Sequence, residues 1–331
     1  MDWSSIFENG MRDAVGIVAA VYALTAVGIN LQFGYTGLAN YGQAGFLLVG
    51  AYGTAIAVDQ WDLSLWVAFL VGLLAAVGLG LLLGIPTLRL RADYLAIVTI
   101  SAAEALRIVV NSRAAQDLTG GPQGIHGFAD AFFDVNPFDG RFKIIGAWAY
   151  SNRDLWVTVI AWGAVALASF ALYLLTRSPW GRVLRAVRED EDAARSLGKN
   201  VYAFKMQSLL IGGAIGGVAG MLLAVDRQFV DAQQFVANVT FLAYAALILG
   251  GLGRILGPVV GSMVLWFFVS ALNQFLREAV ANDFLGITHV MDENDVGAVR
   301  FILVGVLIMV LVIFRPQGIL GSRSEVMLGD G

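Results

Sequence analysis

The sequence predicts an all-α fold, a polytopic membrane helix bundle of about 8–10 transmembrane helices whose interrupted helices recur as a pseudo-repeat. Three observations carry this. Apolar residues make up 58% of the 331 residues and charged ones 14%, where a soluble domain carries about a quarter charged residues to wet its surface. The charges collect in a few connections instead of recurring along each segment. And the 39 glycines exceed what ordinary core helices tolerate, but suit membrane helices that approach closely through small residues. The net charge of −4 adds little, and the absence of cysteine excludes disulfides, thiol chemistry and cysteine metal sites.

About nine segments can cross a hydrocarbon core about 30 Å thick. The first, roughly 14–31, follows the polar, acidic start MDWSSIFENGMRD, which lacks the basic region of a cleavable signal peptide. The second, 37–58, is apolar but crowded with glycine, and the third, 65–85, carries no charge at all. The fourth, 94–110, contains Glu104 and Arg107. The fifth and sixth are 155–175 and 208–225. The seventh, 239–250, is short and runs into Gly250 and Gly251, so it reads as a broken or re-entrant helix; 257–274 and 299–314 complete the set. The whole of 1–331 therefore reads as one membrane domain.

Basic residues set the orientation. Arg89 and Arg91, then Arg177, Arg182, Arg185, Arg188, Arg195, Lys199 and Lys205, then Arg315 and Arg323 fall on one side if nine spans are counted. That side is expected to be the cytoplasm, with 176–207 its longest connection. The opposite side receives the 111–154 loop and 277–298, where Glu278, Asp283, Asp292, Glu293 and Asp295 lie, and the N-terminus, where Arg12 dissents. Trp61, Trp66, Trp148, Tyr150 and Trp156 near expected outer ends, and Trp180 near an inner one, fit interfacial belts.

Three features carry chemistry. Glycines 34, 37, 42, 45, 50 and 53 interrupt a membrane segment that also holds Asn40 and Gln43. Non-helical backbone at membrane depth is tolerated only where protein buries it or it lines a cavity, and paired interruptions point to a transport pathway. LGGLGRILGP at 249–258, followed by Gly261, supplies the counterpart. Close packing explains any single glycine equally well; the amides Asn40 and Gln43 are read as pathway residues. Glu104 and Arg107 are expected near the bilayer midplane and paired at i, i+3, either lining the pathway or locking helices together.

The third feature is RSPWGRVLRAVREDEDAARSLG at 177–198. Val183, Leu184 and Val187 share one helical face, ringed by Arg182, Arg185 and Arg188. Glu189, Asp190, Glu191 and Asp192 open a second short helix whose apolar side is Ala193, Ala194 and Leu197, and Gly198 stops it. A basic amphipathic helix could lie on lipid, but four consecutive acids favour a protein partner. No G-x-x-x-x-G-K-[ST] loop exists, so this chain does not bind ATP through a phosphate loop. His126 and His289 are the only histidines, both in expected outer loops, and Gly120–Gly124 (GGPQG) is a turn.

Together these stretches resemble the LivM-like permeases of branched-chain amino acid ABC importers. The resemblance runs over about 30–321 and is carried by GYTGLANYGQAGFLLVGAY, ADYLAIVTISAAEALRIV, LTGGPQGI, RSPWGRVLRAVREDEDAARSLGKNVYAFK, LILGGLGRILGPVVGS and FRPQGILG. It implies a permease subunit, not itself an enzyme, in the inner membrane of a prokaryote. Its implied partners are a LivH-like second permease, two ATP-binding cassette subunits that hold ATP and Mg, and an extracytoplasmic binding protein, with no cofactor in this chain and no nucleic acid. It further implies that 182–198 contains the helix seated on an ATPase, so Arg182, Arg185, Arg188, Glu189, Asp190, Glu191, Asp192 and Leu197 become coupling candidates. Residues 40–43 read Asn-Tyr-Gly-Gln where the LivM pattern often has a Ser-Leu-Gly-His-like run. That departure bears on the solute, because urea and short-chain amide importers share the architecture. The competing classes are an ion-coupled secondary transporter, for which Glu104 with its built-in arginine is poor material, and a membrane enzyme, for which no catalytic constellation exists.

Overall fold

A computed structural model describes residues 3–88, 92–138, 142–143, 149–282 and 295–321. Every expected span contains a helix, though the second, expected from 37, becomes helical only at Gln43. The helices are α2 (Ile17–Ile29), α3 (Gln43–Asp59), α4 (Leu65–Thr87), α5 (Ala92–Val110), α8 (Asn152–Arg177), α11 (Val201–Arg227), α12 (Ala237–Gly250), α13 (Gly257–Ala281) and α14 (Val296–Phe314). α11 and α13 outrun the apolar windows read from the sequence, because their polar ends, with Lys205 and with Arg277 and Glu278, are helical too. Short helices α6 (Gln116–Thr119) and α7 (Asp130–Asp134) lie between α5 and α8, and α9 (Pro179–Glu189) and α10 (Glu191–Ser196) between α8 and α11. Arg89, Arg91, Trp148, Asp283, His289, Asp292, Glu293 and Arg323 lie outside the described residues.

α2 is the axis of the bundle. Its span, continued to Tyr35 by a π-helical turn over Asn30–Tyr35, is the least apolar of six long candidates yet 78% buried, whereas α14 is the most apolar and 11% buried. In a membrane, hydropathy reports what lipid tolerates and small residues report where helices meet. α2 accordingly carries Ala19, Ala20, Ala23, Ala26 and Gly28 in a bundle where it packs on α8, α11, α12 and α13. A Cβ on Gly220 of α11 would sit inside the Leu47 carbonyl of α3, and one on Gly261 of α13 inside the Ala246 carbonyl of α12. Those backbones touch, and the dispersion contact of two bare helices replaces side-chain packing.

One helix was not legible as an element. α1 (Trp3–Ala14) packs along the far half of α13, with Ser270 Oγ donating to Asp13 Oδ2 at 2.6 Å and the Phe7 and Phe267 rings 5.8 Å apart. At the same end, α5 turns by 65° into the 113–119 segment. Thr119 Oγ1 donates to Val110 and Ala115 carbonyls at 2.7 and 2.9 Å and holds that bend. The expected turn at Gly120–Gly124 is present, with positive φ at 120, 121 and 124, and it delivers a two-residue strand, Ile125–His126, against Phe229–Val230 after α11. His126 stacks on Phe229 at 4.2 Å.

Candidate functional site

The two glycine clusters are two breaks in the helical structure, and they meet. After Tyr35 the chain leaves the helix, and residues 37–42 return through the protein in non-helical backbone before α3 starts at Gln43. Gly37 takes φ +72°, a left-handed turn that glycine adopts freely. Leu38, Asn40 and Gly42 are buried here, so side chains must satisfy their backbone. Tyr41 N donates to Thr99 Oγ1 of α5 at 3.1 Å, Ala44 N to Thr240 Oγ1 of α12 at 2.9 Å, and Tyr244 Oη to the Asn40 carbonyl at 3.0 Å. Gly42 lies against the Thr99 backbone so closely that a Cβ would overlap its carbonyl.

Three amides lock the interior of this break. Asn40 Nδ2 donates to Gln32 Oε1 at 3.0 Å and to Gln43 Oε1 at 3.1 Å, while its Oδ1 accepts from Gly42 N at 2.9 Å. Gln43 Nε2 donates to the Gly212 carbonyl of α11 at 2.9 Å, and Gln32 Nε2 to the Leu209 carbonyl at 3.3 Å. All three are 0% exposed. Asn40 and Gln43, expected to line a pathway, are therefore sealed within the chain as described. A solute touches them only if the break opens.

The second break, 251–256, joins α12 to α13, which begins with Gly257-Pro258. Asn30 serves it as Asn40 serves the first: Nδ2 donates to the Arg254 carbonyl at 2.8 Å and Oδ1 accepts from Gly253 N at 3.0 Å. The FRPQGILG stretch closes it from behind, Ile319 N and Leu320 N donating to Leu249 and Gly250 carbonyls at 2.9 and 3.0 Å. Asn30 and Gln32 were not singled out from the sequence. Their signal was present, as two amides inside an apolar span just before a glycine cluster.

The 177–198 segment is two short helices meeting at Asp190. Leu184 and Val187 are buried and Val183 half-buried, as expected. Glu189 does not open the second helix but closes α9, and Asp190 Oδ1 caps α10 by accepting from Asp192 N at 2.9 Å and Ala193 N at 3.0 Å. Of the expected apolar side of α10 only Ala194 is buried, under Val187 and Val201; Ala193 is exposed and Leu197 is 78% exposed. The six-residue helix buries one narrow face, and Leu197 lies beyond its last turn as the C-cap. Gly198 ends the turn with φ +76°. Glu191 pairs with Lys205 of α11, and Asp192 with Arg195 at 2.6 Å.

Arginines tie this segment to the bundle. Arg185 Nη2 donates to the Thr176 carbonyl at 3.0 Å. Arg188 Nη1 donates to the Gly34 carbonyl where the π turn ends, its stem lies against Gly37, and Nη1 comes close to Gly253. Arg188 therefore lies against the first break and beside the second, and Arg182 stays exposed at the surface.

Glu104 and Arg107 pair as expected, bidentately, at 2.9 and 2.5 Å. Arg107 lies one turn from the end of α5, and its Nη1 donates at 3.3 Å to Gln233, in the connection after α11. Arg107 is largely covered while Glu104 keeps 41% of its side chain exposed.

A family model described as "Branched-chain amino acid transport system / permease component" matches residues 11–313. The chain belongs to that family. This permease is 30% identical over 99% of its length to the high-affinity branched-chain amino acid transport system permease protein LivM of Escherichia coli, covering 74% of it. It is 27% identical to the probable branched-chain amino acid transport permease protein LivH of Methanocaldococcus jannaschii, over 84% of this chain and 85% of that one. It is also 27% identical to the nucleoside ABC transporter permease protein NupC of Lactococcus lactis, over 71% of this chain and 73% of that one. The permease is thus a multi-pass helical membrane protein whose family members are transport subunits, not enzymes.

Proposed function

We propose that this permease is the membrane subunit of an ATP-driven importer for branched-chain or related amino acids, in the inner membrane of a prokaryote. A LivH-like permease pairs with it, two ATP-binding subunits that hold ATP and Mg dock beneath the pair, one of them on α9–α10, and an extracytoplasmic binding protein delivers the solute. The amino-acid reading rests on the stronger match to LivM over nearly the whole chain than to the nucleoside permease.

The observation that carries the mechanism is Arg188. It leaves a short charged helix pair outside the spans and ends on the Gly34 carbonyl, between both breaks. On that geometry, movement of an ATPase against Leu197, Asp192 and the Arg182 face shifts α9 as a lever. Arg188 passes the shift to residues 34–42, and the Tyr41–Thr99 bond passes it to α5, which carries Glu104 and Arg107. Opening of the first break would expose Asn40 and Gln43 to the solute. No covalent chemistry is assigned to this chain.

The test is purification from a host expressing the whole gene set, followed by reconstitution into liposomes. Co-isolation of two ATP-binding chains and uptake of leucine that requires ATP and the binding protein support the proposal. Uptake by this chain alone, driven by an ion gradient, contradicts it.

A further inference from the structure

A cleft of about 1390 Å³ runs between α8 and the second break. One wall is a face of α8, from Trp162 through Val165, Phe170 and Tyr173 to Arg177. The fifteen helical steps from Trp162 to Arg177 span about 22 Å, longer than the roughly 15 Å of one leaflet of a bilayer core. The facing wall is Ile248, Leu252, Leu256 and Val259, and Phe170 and Leu256 at its rim are each 59% exposed, so the cleft opens sideways along the bundle.

At the α9 end the chemistry changes abruptly. Arg177, Arg185, Arg188 and Arg254 all line the cleft, and among its described lining residues Glu189 is the one acid. The guanidiniums are held in place: Arg177 lies over the Tyr173 ring at 4.2 Å, Arg185 bonds the Thr176 carbonyl at 3.0 Å, and Arg188 bonds the Gly34 carbonyl. Each of these is one contact of a group with five N–H donors. Four like charges gathered beside apolar surface repel one another, and an anion among them relieves that repulsion.

We infer that this cleft binds one anionic phospholipid from the leaflet at the α9 end, with its phosphate among Arg177, Arg185 and Arg254 and an acyl chain along α8. A soluble anion would use the arginines and leave the apolar wall unexplained; an apolar peptide would do the reverse. Basic pockets between membrane helices take acidic headgroups for the same reason, and arginine forks match phosphate oxygens bidentately. The inference does not depend on what the permease transports.

Native mass spectrometry of the intact transporter, released from detergent containing phosphatidylglycerol or phosphatidylcholine, reads the site directly. One phosphatidylglycerol per permease should be retained, with a preference of about tenfold over phosphatidylcholine. The double variant Arg177→Gln/Arg254→Gln should lose that preference, and Arg177→Lys/Arg254→Lys, which keeps the charge, should keep most of it. Ala166→Trp, which fills the apolar wall and leaves the arginines, should also release the lipid. Glycerol phosphate, an anion without acyl chains, should fail to compete. Equal retention of the two lipids, retention by the glutamine variant, or competition by glycerol phosphate would each overturn the inference. So would retention by the isolated permease and not by the full complex, which would show a partner subunit covering the cleft.

Discussion

The amides of the first break illustrate how a single polar side chain is decided by its surroundings. Asn40 and Gln43 are buried with each bond accounted for, and removing one leaves its partners unsatisfied in a medium with no water to replace it. Gln43→Leu orphans an Asn40 amide proton, at about 1–3 kcal/mol, and removes the second partner of the Gly212 carbonyl, which lies inside α11. A fall in the melting temperature of the detergent-purified permease is expected, together with slower uptake; an unchanged melting curve would show that these bonds contribute nothing to the closed break. Gly261→Ala tests a different physical limit at the same scale. Its methyl meets the Ala246 carbonyl of α12, so the two helices must part. The expected outcome is a sharply reduced yield of monodisperse protein on size exclusion, since backbone cannot move aside as a flexible side chain can.

Among elements, α9 and α10 carry the most specific expectations. Arg188→Lys retains a charge but not the fork that reaches Gly34 while the stem lies on Gly37. ATP hydrolysis by the assembled transporter should persist while leucine uptake falls at least several-fold, and equal loss of both would make Arg188 a structural residue. Replacing Glu189, Asp190, Glu191 and Asp192 together by alanine should also uncouple the two activities. Asp190 is the cap of α10, so its loss alone costs about 1 kcal/mol of helix stability; Asp190→Asn, which preserves the cap, separates that effect from partner recognition. Much at this level was legible in sequence. Long apolar runs fix where spans lie, and Pro179, Gly181 and Gly198 mark the ends of the coupling helices. What was not legible depended on contacts between distant residues. Nothing local in Asn30 says that its amide will clamp residues 253 and 254. Likewise, nothing in Arg107 says that its guanidinium will reach Gln233. α1 escaped because twelve residues with mixed polarity resemble a soluble tail until α13 supplies the surface that covers them.

For the whole molecule, the fold explains why so apolar a chain carries so much irregular backbone near its centre. α2, the breaks and α11 form a glycine-lined core whose polar groups bond one another, and α4, α8, α13 and α14 face outward around it. Such a core has few alternatives to its closed arrangement other than a concerted shift, which suits a machine driven from one end. The most direct test is leucine uptake into proteoliposomes with the permease, its LivH-like partner, two ATP-binding subunits and the binding protein, omitting one component at a time. Uptake that requires ATP and every component is the expected result, with Arg188→Lys hydrolysing ATP but accumulating little leucine. Accumulation by the permease alone, sustained by a proton or sodium gradient, would contradict the central claim.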